Sequence, residues 1–442
     1  MNLWPHQKKA IALASEEFKR GHRSICIVMN TGAGKTRVGA EFLIRHLTKN
    51  PAGKGLFVAH REELIAQTYD SFTALGMECG VIQAKPSRPV NPHRPVQIAS
   101  IQTLVAREII PDVTIGILDE FHHFSSDKWN KLAQEYIQRR IPLIGLTATP
   151  VRADGRGFEW IDAMVVPVTM KELIAAGFLV PYKLVSPPQP LSPGQIAQGP
   201  LAAYKQHAEG RKTVVFAANI PAMHQYTAEF NAAGIPAAAV WGAMDGGARI
   251  ETIQAYKEGR IRVLNNVSVL IEGFDDRETS CVIIARSVGS LGLYLQAAGR
   301  ALRACPEKGK SDAVICDLFG NCKKDGFDEP AADRVWSKEG LVETKEKPEQ
   351  APERFCAVCQ VLLEPGSGPV CECCGIARPE AVPPDIVNVP LVKYEATFKT
   401  TAEKRELFNR LKAIARKRGY SPWQPHSKYK GMFGSAPPRE WW

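Results

Sequence analysis

A chain of 442 residues has room for two to four domains of roughly 100–200 residues each. Hydrophobic residues at 45% and charged residues at 23% suit a globular protein with sizeable cores, and no apolar run approaches the roughly 18 residues of a membrane-spanning helix. The net charge of +10 is unevenly placed: from Arg378 onwards there are 13 Lys and Arg against 6 Asp and Glu, so the preceding 377 residues carry only +3. A near-neutral body with a basic end fits a polyanionic partner, nucleic acid above all, and fits a solubilising tail equally well. Met1–Gln7 lacks the apolar stretch of a secretion signal, which predicts a cytoplasmic protein with no membrane partner.

Through the first 180 residues, short apolar runs alternate with amphipathic ones. Ser24–Met29, Gly55–Ala59, Val96–Ala99, Val113–Leu118 and Pro142–Leu146 read as buried strands. Arg37–Leu47 and Arg61–Leu75 read as helices between them. Such alternation predicts an α/β fold built on a doubly wound parallel sheet. Six prolines between Pro181 and Pro200 break the pattern and suggest an interdomain connector. The alternation resumes in Thr213–Ala217, Ala237–Val240, Ile261–Leu264, Cys281–Ala285 and Ala313–Asp317, a second α/β domain. Near Ala402–Arg418, Leu407, Leu411, Ile414 and Ala415 share one face of a predicted helix. The expected division is 1–182, 183–322, a linker over 323–352, a cysteine module over 353–378 and a basic aromatic tail over 379–442.

Thr31-Gly32-Ala33-Gly34-Lys35-Thr36 follows the first predicted strand and opens a helix. Small residues there let backbone N–H groups wrap phosphates at a helix N-terminus. The Lys35 ammonium would reach the β and γ phosphates and the Thr36 hydroxyl would ligate Mg²⁺; Met29 stands where the strict pattern has glycine. Asp119-Glu120-Phe121-His122 ends an apolar run, which sets its carboxylates at a strand's C-terminal edge. Asp119 can hold Mg²⁺ and Glu120 can orient and deprotonate an attacking water. The two motifs together predict an ATPase.

With Thr147-Ala148-Thr149-Pro150 and Gln296-Ala297-Ala298-Gly299-Arg300-Ala301-Leu302-Arg303, the first 320 residues or so resemble the superfamily-two helicases of the DEAH/DExH-box kind. Pro5-His6-Gln7 is similar to the adenine-reading motif of that family. Ala59–Leu64, with His60 and Arg61, and Ser100-Ile101-Gln102-Thr103-Leu104 resemble its strand-contacting blocks. Phe216–Asn219 and Glu272-Gly273-Phe274-Asp275 resemble its fourth and fifth motifs. The resemblance implies two RecA-like domains with ATP between them. Gln7, Thr31 to Thr36, Gly273 and Asp275 would bind the nucleotide, and Gln296 would position the water. Arg300 and Arg303 would serve as arginine fingers, and Thr147 and Thr149 would couple the phosphate to nucleic-acid grips. Those grips would include His60, Arg61, Ser100, Gln102, Thr103 and Asn219.

Cys356-x2-Cys359-x11-Cys371-x2-Cys374 has the spacing of a Cys₄ zinc ribbon, a closed structural site; Cys373 could replace Cys371 or Cys374, or stay free. A superfamily-two core followed by such a module resembles the RadD-like helicases of bacteria and their phages, which implies DNA repair or recombination in a bacterial or phage-infected cell. Tyr420, Trp423, Tyr429 and Phe433 among the final cations suit base stacking or docking onto the motor. The reading is an ATP-dependent DNA helicase or translocase on single-stranded, forked or branched DNA. An RNA helicase, a restriction-type translocase subunit and a non-hydrolysing adaptor are the alternatives.

Overall fold

In the computed structural model, the residues described are 3–337 except Arg61, 122–126, 151–157, Glu159, Ser268, 271–273, 325–326 and Val335. Residues 340–341, 382–394, Arg405, Phe408, Asn409 and Lys412 are described as well. The first domain runs through α1 (Pro5–Lys19), β1 (Ser24–Val28), α2 (Lys35–Lys49), β2 (Gly55–Ala59), α3 (Glu62–Ala74) and β3 (Cys79–Ile82). It continues through β4 (Val96–Ser100), α4 (Ile101–Ala106), β5 (Ile115–Asp119), α5 (Asp127–Gln138), β6 (Leu143–Thr147) and β7 (Ala163–Val165). Its sheet has the order β3-β4-β2-β5-β6-β1-β7 and is parallel throughout. Alternate residues of β1 serve different cores: Ile25 and Ile27 join one cluster, Cys26 and Val28 another. Burial on both faces is why these strands read as unbroken apolar runs.

The helix α6 (Met170–Ala175) begins at a reciprocal cap: Thr169 accepts from the Glu172 amide, and the Glu172 carboxylate accepts from the Thr169 amide. Beyond it come β8 (Tyr182–Ser186), β9 (Gln195–Ile196), α7 (Pro200–His207), β10 (Thr213–Ala217), α8 (Ile220–Ala232) and β11 (Ala237–Val240). They are followed by α9 (Gly246–Lys257), β12 (Val263–Asn266), β13 (Cys281–Ala285), α10 (Leu291–Leu302) and β14 (Ala313–Asp317). Four two-residue strands complete the described chain: β15 (Trp336–Ser337), β16 (Gly340–Leu341), β17 (Asp385–Ile386) and β18 (Val392–Lys393). The second sheet has the order β11-β12-β10-β13-β14-β8-β18, parallel except where β18 runs against β8. Two RecA-like parallel-sheet domains therefore carry the fold.

The structure departs from the sequence expectations in three places. The proline-rich stretch is no mere connector, because Pro181 immediately precedes β8 and Pro187 and Pro188 follow it, bounding a strand that pairs with β14. The strand expected at Ile261–Leu264 lies two residues later, since buried Asn266 earns its place in the sheet by donating to the Val215 carbonyl and accepting from the Leu270 amide. Finally, the described part of the expected linker is packed. The Glu329 carboxylate accepts from Tyr182 Oη at 3.0 Å, Asp333 pairs with Lys171 at 2.8 Å, and Trp336 rests against the first domain's core. The expected helix near 402–418 lies mostly outside the described residues; Arg405, Phe408, Asn409 and Lys412 within it are helical. Among the described residues, no helix is long and apolar enough to cross a membrane.

Candidate active site

The loop from β1 to α2 turns on two glycines in the left-handed region, Gly32 at φ +88° and Gly34 at φ +79°. Gly34 is the residue before the helix, and a Cβ there would collide with the amide of Gln7. Gln7 is fully buried and donates to the carbonyls of Ala33 and Gly34 at 3.2 and 3.4 Å. His6 Nε2 lies 3.0 Å from the Ala33 carbonyl oxygen. Burial, partly offset by that bond, holds the imidazole below its usual pKa. Trp4 and Phe178 pack beside it, with ring centroids 4.9 Å apart.

Lys35 is the first residue of α2, and its ammonium meets Glu120 Oε1 at 3.0 Å and the Met29 carbonyl at 3.4 Å. Asp119 closes β5 and is buried; its Oδ1 accepts from the Glu120 amide at 3.1 Å. Glu120 itself adopts φ +47°, a left-handed conformation that costs a non-glycine residue of order 1 kcal/mol and turns its side chain back towards Lys35. From β6, the next strand over, Thr147 Oγ1 donates to the Thr149 carbonyl and accepts from the Thr149 amide, both at 3.0 Å. Thr36 follows Lys35 in the first turn of α2.

The second domain presents one face of α10 to this loop. Gly292, Gln296, Gly299 and Arg303 recur at the spacing of a single helical face. A Cβ at Gly299 would lie 3.0 Å from the Thr31 Cβ, and one at Gly292 would lie 2.8 Å from Thr149 Oγ1. The Arg303 Cγ in turn lies 3.2 Å from where a Cβ of Gly32 would sit. The backbone joins in, as the Val180 amide donates to the Leu302 carbonyl at 2.8 Å. Gln296 and Arg300 are buried. Arg300 and Arg303 both donate to the Phe274 carbonyl, at 2.5 and 3.3 Å, and Arg303 pairs with Asp275. Single motif letters do not reveal this closure; the glycine spacing along α10 is the signal that could have.

The residues expected to grip nucleic acid are split. Ala59 and Ser100 are register partners at the C-terminal ends of β2 and β4, so His60 and the Ser100–Thr103 block are neighbours. Gln102 donates to the His60 carbonyl at 2.5 Å, while Ser100 caps α4 by accepting from the Thr103 amide. Asn219 stands apart on the second domain and is engaged internally, capping α8 through Ala222 and donating to the Val382 carbonyl at 2.6 Å. Arg61, Gly273 and the four cysteines Cys356, Cys359, Cys371 and Cys374 lie outside the described residues.

Residues 1–152 match the family model for the type III restriction enzyme res subunit, and residues 198–305 match the helicase conserved C-terminal domain. A 51.5 kDa protein of a Lactococcus phage is 29% identical over 364 residues, covering 78% of this chain and 76% of that one. Irc3 of Schizosaccharomyces pombe, assigned as a mitochondrial ATP-dependent helicase, is 26% identical over 360 residues, covering 73% of this chain. The chain spans 58% of that fungal relative's length. In fold, it is similar to a fragment of an HsdR subunit of a type I restriction enzyme from Vibrio vulnificus. The TM-score is 0.57 at 21% identity, over 73% of this chain and 66% of that one. The glycine-bearing β1–α2 loop, the strand-end Asp119-Glu120 pair and the arginine-bearing helix α10 meet between two RecA-like domains that match the res-subunit and helicase C-terminal models, and the chain is similar to ATP-dependent helicases, as a nucleic-acid-dependent ATPase.

Proposed function

We propose that this protein hydrolyses Mg-ATP in the cleft between its two domains and uses the cycle to move along, or remodel, single-stranded, forked or branched DNA. One observation carries the reading: the phosphate loop of the first domain packs directly against the arginine-bearing helix of the second, with Gly299 on Thr31. A catalytic set divided in this way is complete only when the halves meet, so nucleotide and domain closure are coupled.

Lys35 and Glu120 neutralise each other across 3.0 Å. Incoming phosphates compete for the same ammonium, which releases the Glu120 carboxylate to take a proton from water. Arg300 and Arg303 then balance charge on the γ phosphate, and Gln296 orients the water. A buried carboxylate on Asp119 and the hydroxyl of Thr36 are hard oxygen donors suited to Mg²⁺, which when bound neutralises charge between the β and γ phosphates. Gln7 reads the adenine from α1, and Asp275 and Gly273 approach the nucleotide from the second domain. Thr147 and Thr149, which join β6 to the face of α10, carry the phosphate state towards His60, Arg61, Ser100, Gln102 and Thr103.

Beyond the motor, the reading assigns one structural zinc to Cys356, Cys359, Cys371 and Cys374, and a role in DNA repair or recombination like that of RadD-like helicases. The match of residues 1–152 to the restriction res subunit favours a second reading, the translocating subunit of a restriction system. Steady-state ATPase with Mg²⁺ tests the proposal across single-stranded, duplex and forked DNA, RNA and no nucleic acid. Stimulation by DNA and not RNA supports a DNA motor. Stimulation by duplex alone moves the restriction reading forward, and stimulation by RNA alone removes the DNA assignment.

Gly299→Val tests the closure itself. Forcing methyl groups onto Thr31 costs about 1–3 kcal/mol, so DNA-stimulated turnover is expected to fall roughly tenfold to a hundredfold. ATP affinity, read by nucleotide titration, stays within a few-fold. Unchanged turnover would mean that α10 need not approach the phosphate loop during hydrolysis.

A further inference from the structure

Behind the two arginines lies a buried polar cluster that the chemistry above does not use. Lys212, immediately before β10, is almost wholly buried, and its ammonium donates to Asp276 Oδ1 at 3.1 Å and to the Lys257 carbonyl at 3.0 Å. It also stands 4.9 Å from the centroid of the Tyr256 ring. The other carboxylate oxygen of Asp276 accepts from the Thr279 amide at 2.9 Å and the Thr279 hydroxyl at 2.7 Å. Tyr256 Oη and Thr279 Oγ1 complete the cluster at 2.9 Å. Each member has a partner, and in a dry interior such a network holds one geometry strongly.

What it holds is the turn that carries the arginines' acceptors. Asp276 follows Asp275, the partner of Arg303, and lies two residues from Phe274, whose carbonyl receives both Arg300 and Arg303. A second clamp grips the same turn from outside: Lys310 donates to the carbonyls of Arg277 and Thr279 at 2.9 and 2.5 Å, and Arg277 donates to the Ala304 carbonyl just past α10. The turn is thus pinned to the start of β10, the end of α9 and the end of α10. A shift of Asp276 would carry the Phe274 carbonyl and the Asp275 carboxylate with it.

We propose that Lys212 and Asp276 form a latch that positions Arg300 and Arg303 for hydrolysis, making Lys212 a positioning residue of the motor. The proposal rests on the reading of those arginines as γ-phosphate contacts. Because the latch acts on groups engaged mainly in the transition state, its loss lowers kcat and leaves the KM for ATP nearly unchanged. Lys212→Met is expected to lower DNA-stimulated kcat roughly tenfold, the scale on which small misplacement of a catalytic group acts.

Removing one partner of a buried ion pair also destabilises the fold, so the full-length double variant Lys212→Met/Asp276→Asn is made alongside; it removes both charges together and keeps an amide oxygen to accept from Thr279. The expected result is a double variant with near-normal melting temperature and kcat still about tenfold low. Wild-type kcat in the double variant would overturn the latch, leaving the pair a purely structural contact. A rise in KM with kcat unchanged would overturn it as well. Arg303→Ala, measured in parallel, separates the two ideas: normal turnover there removes the arginine reading, whereas loss there with normal kcat in the Lys212 variants removes only the latch.

Discussion

Arg303→Ala is expected to lower kcat by about three orders of magnitude, the scale reported for arginines that stabilise a transferring phosphoryl group. Arg303 is the extended residue that caps the C-terminal end of α10, and its side chain passes against Gly32 of the β1–α2 loop. It is held by the Phe274 carbonyl and by Asp275, contacts on its own domain, so its truncation leaves the first domain's nucleotide contacts intact. ATP affinity and melting temperature should therefore stay near wild type. Lysine at this position recovers little, since a point charge lacks the two-pronged geometry of guanidinium. Arg300→Ala should differ: Arg300 is buried and donates to the Phe274 carbonyl at 2.5 Å, so its loss lowers stability as well as turnover. Single-turnover hydrolysis with melting curves distinguishes the two, and wild-type kcat in Arg303→Ala would take that residue out of the chemistry.

The second large effect falls on Lys35→Ala, for which turnover is expected to drop about a thousandfold. Two losses combine there. The phosphates lose their cation, and Glu120 loses the ammonium that faces it at 3.0 Å. The Glu120 side chain then lacks the partner that holds it in place beside the loop. ATP binding weakens too, in contrast to Arg303→Ala, so comparing affinities tells the charge-compensating lysine from the transition-state arginine. Turnover within a few-fold of wild type would end the assignment of Thr31–Thr36 as a phosphate loop.

The strands with unbroken apolar runs were legible because both of their faces are covered, as in β1, β2 and β13. The left-handed glycines ahead of α2 and the place of Asp119 at the end of β5 were legible because short-range spacing sets their geometry. Less was legible wherever a long-range partner decides the outcome. Nothing local marks β8 as the neighbour of β14, nor shows that Asn266 closes a strand by bonding across to Val215. Asn219 resembles a nucleic-acid contact by motif, yet its amide is engaged by a segment 163 residues away. The Lys212–Asp276 pair is likewise invisible along the chain, its partners being 64 residues apart.

One consequence follows from β18. Val392 and Lys393 close the open side of the second sheet, pairing with Ser186 and Val185, and the Tyr394 amide donates to the Leu184 carbonyl at 2.8 Å. The outermost strand carries a lysine and is exposed, features that discourage further strand addition. A shortened protein ending at 322 or 352 would bare β8 instead, with apolar Leu184 and Val185 behind an unpaired backbone ladder. Such fragments should recruit a second sheet and self-associate, visible by light scattering. Among the described residues, β18 is the strand that covers the β8 ladder, so a truncated form would report self-association as well as the loss of a basic tail.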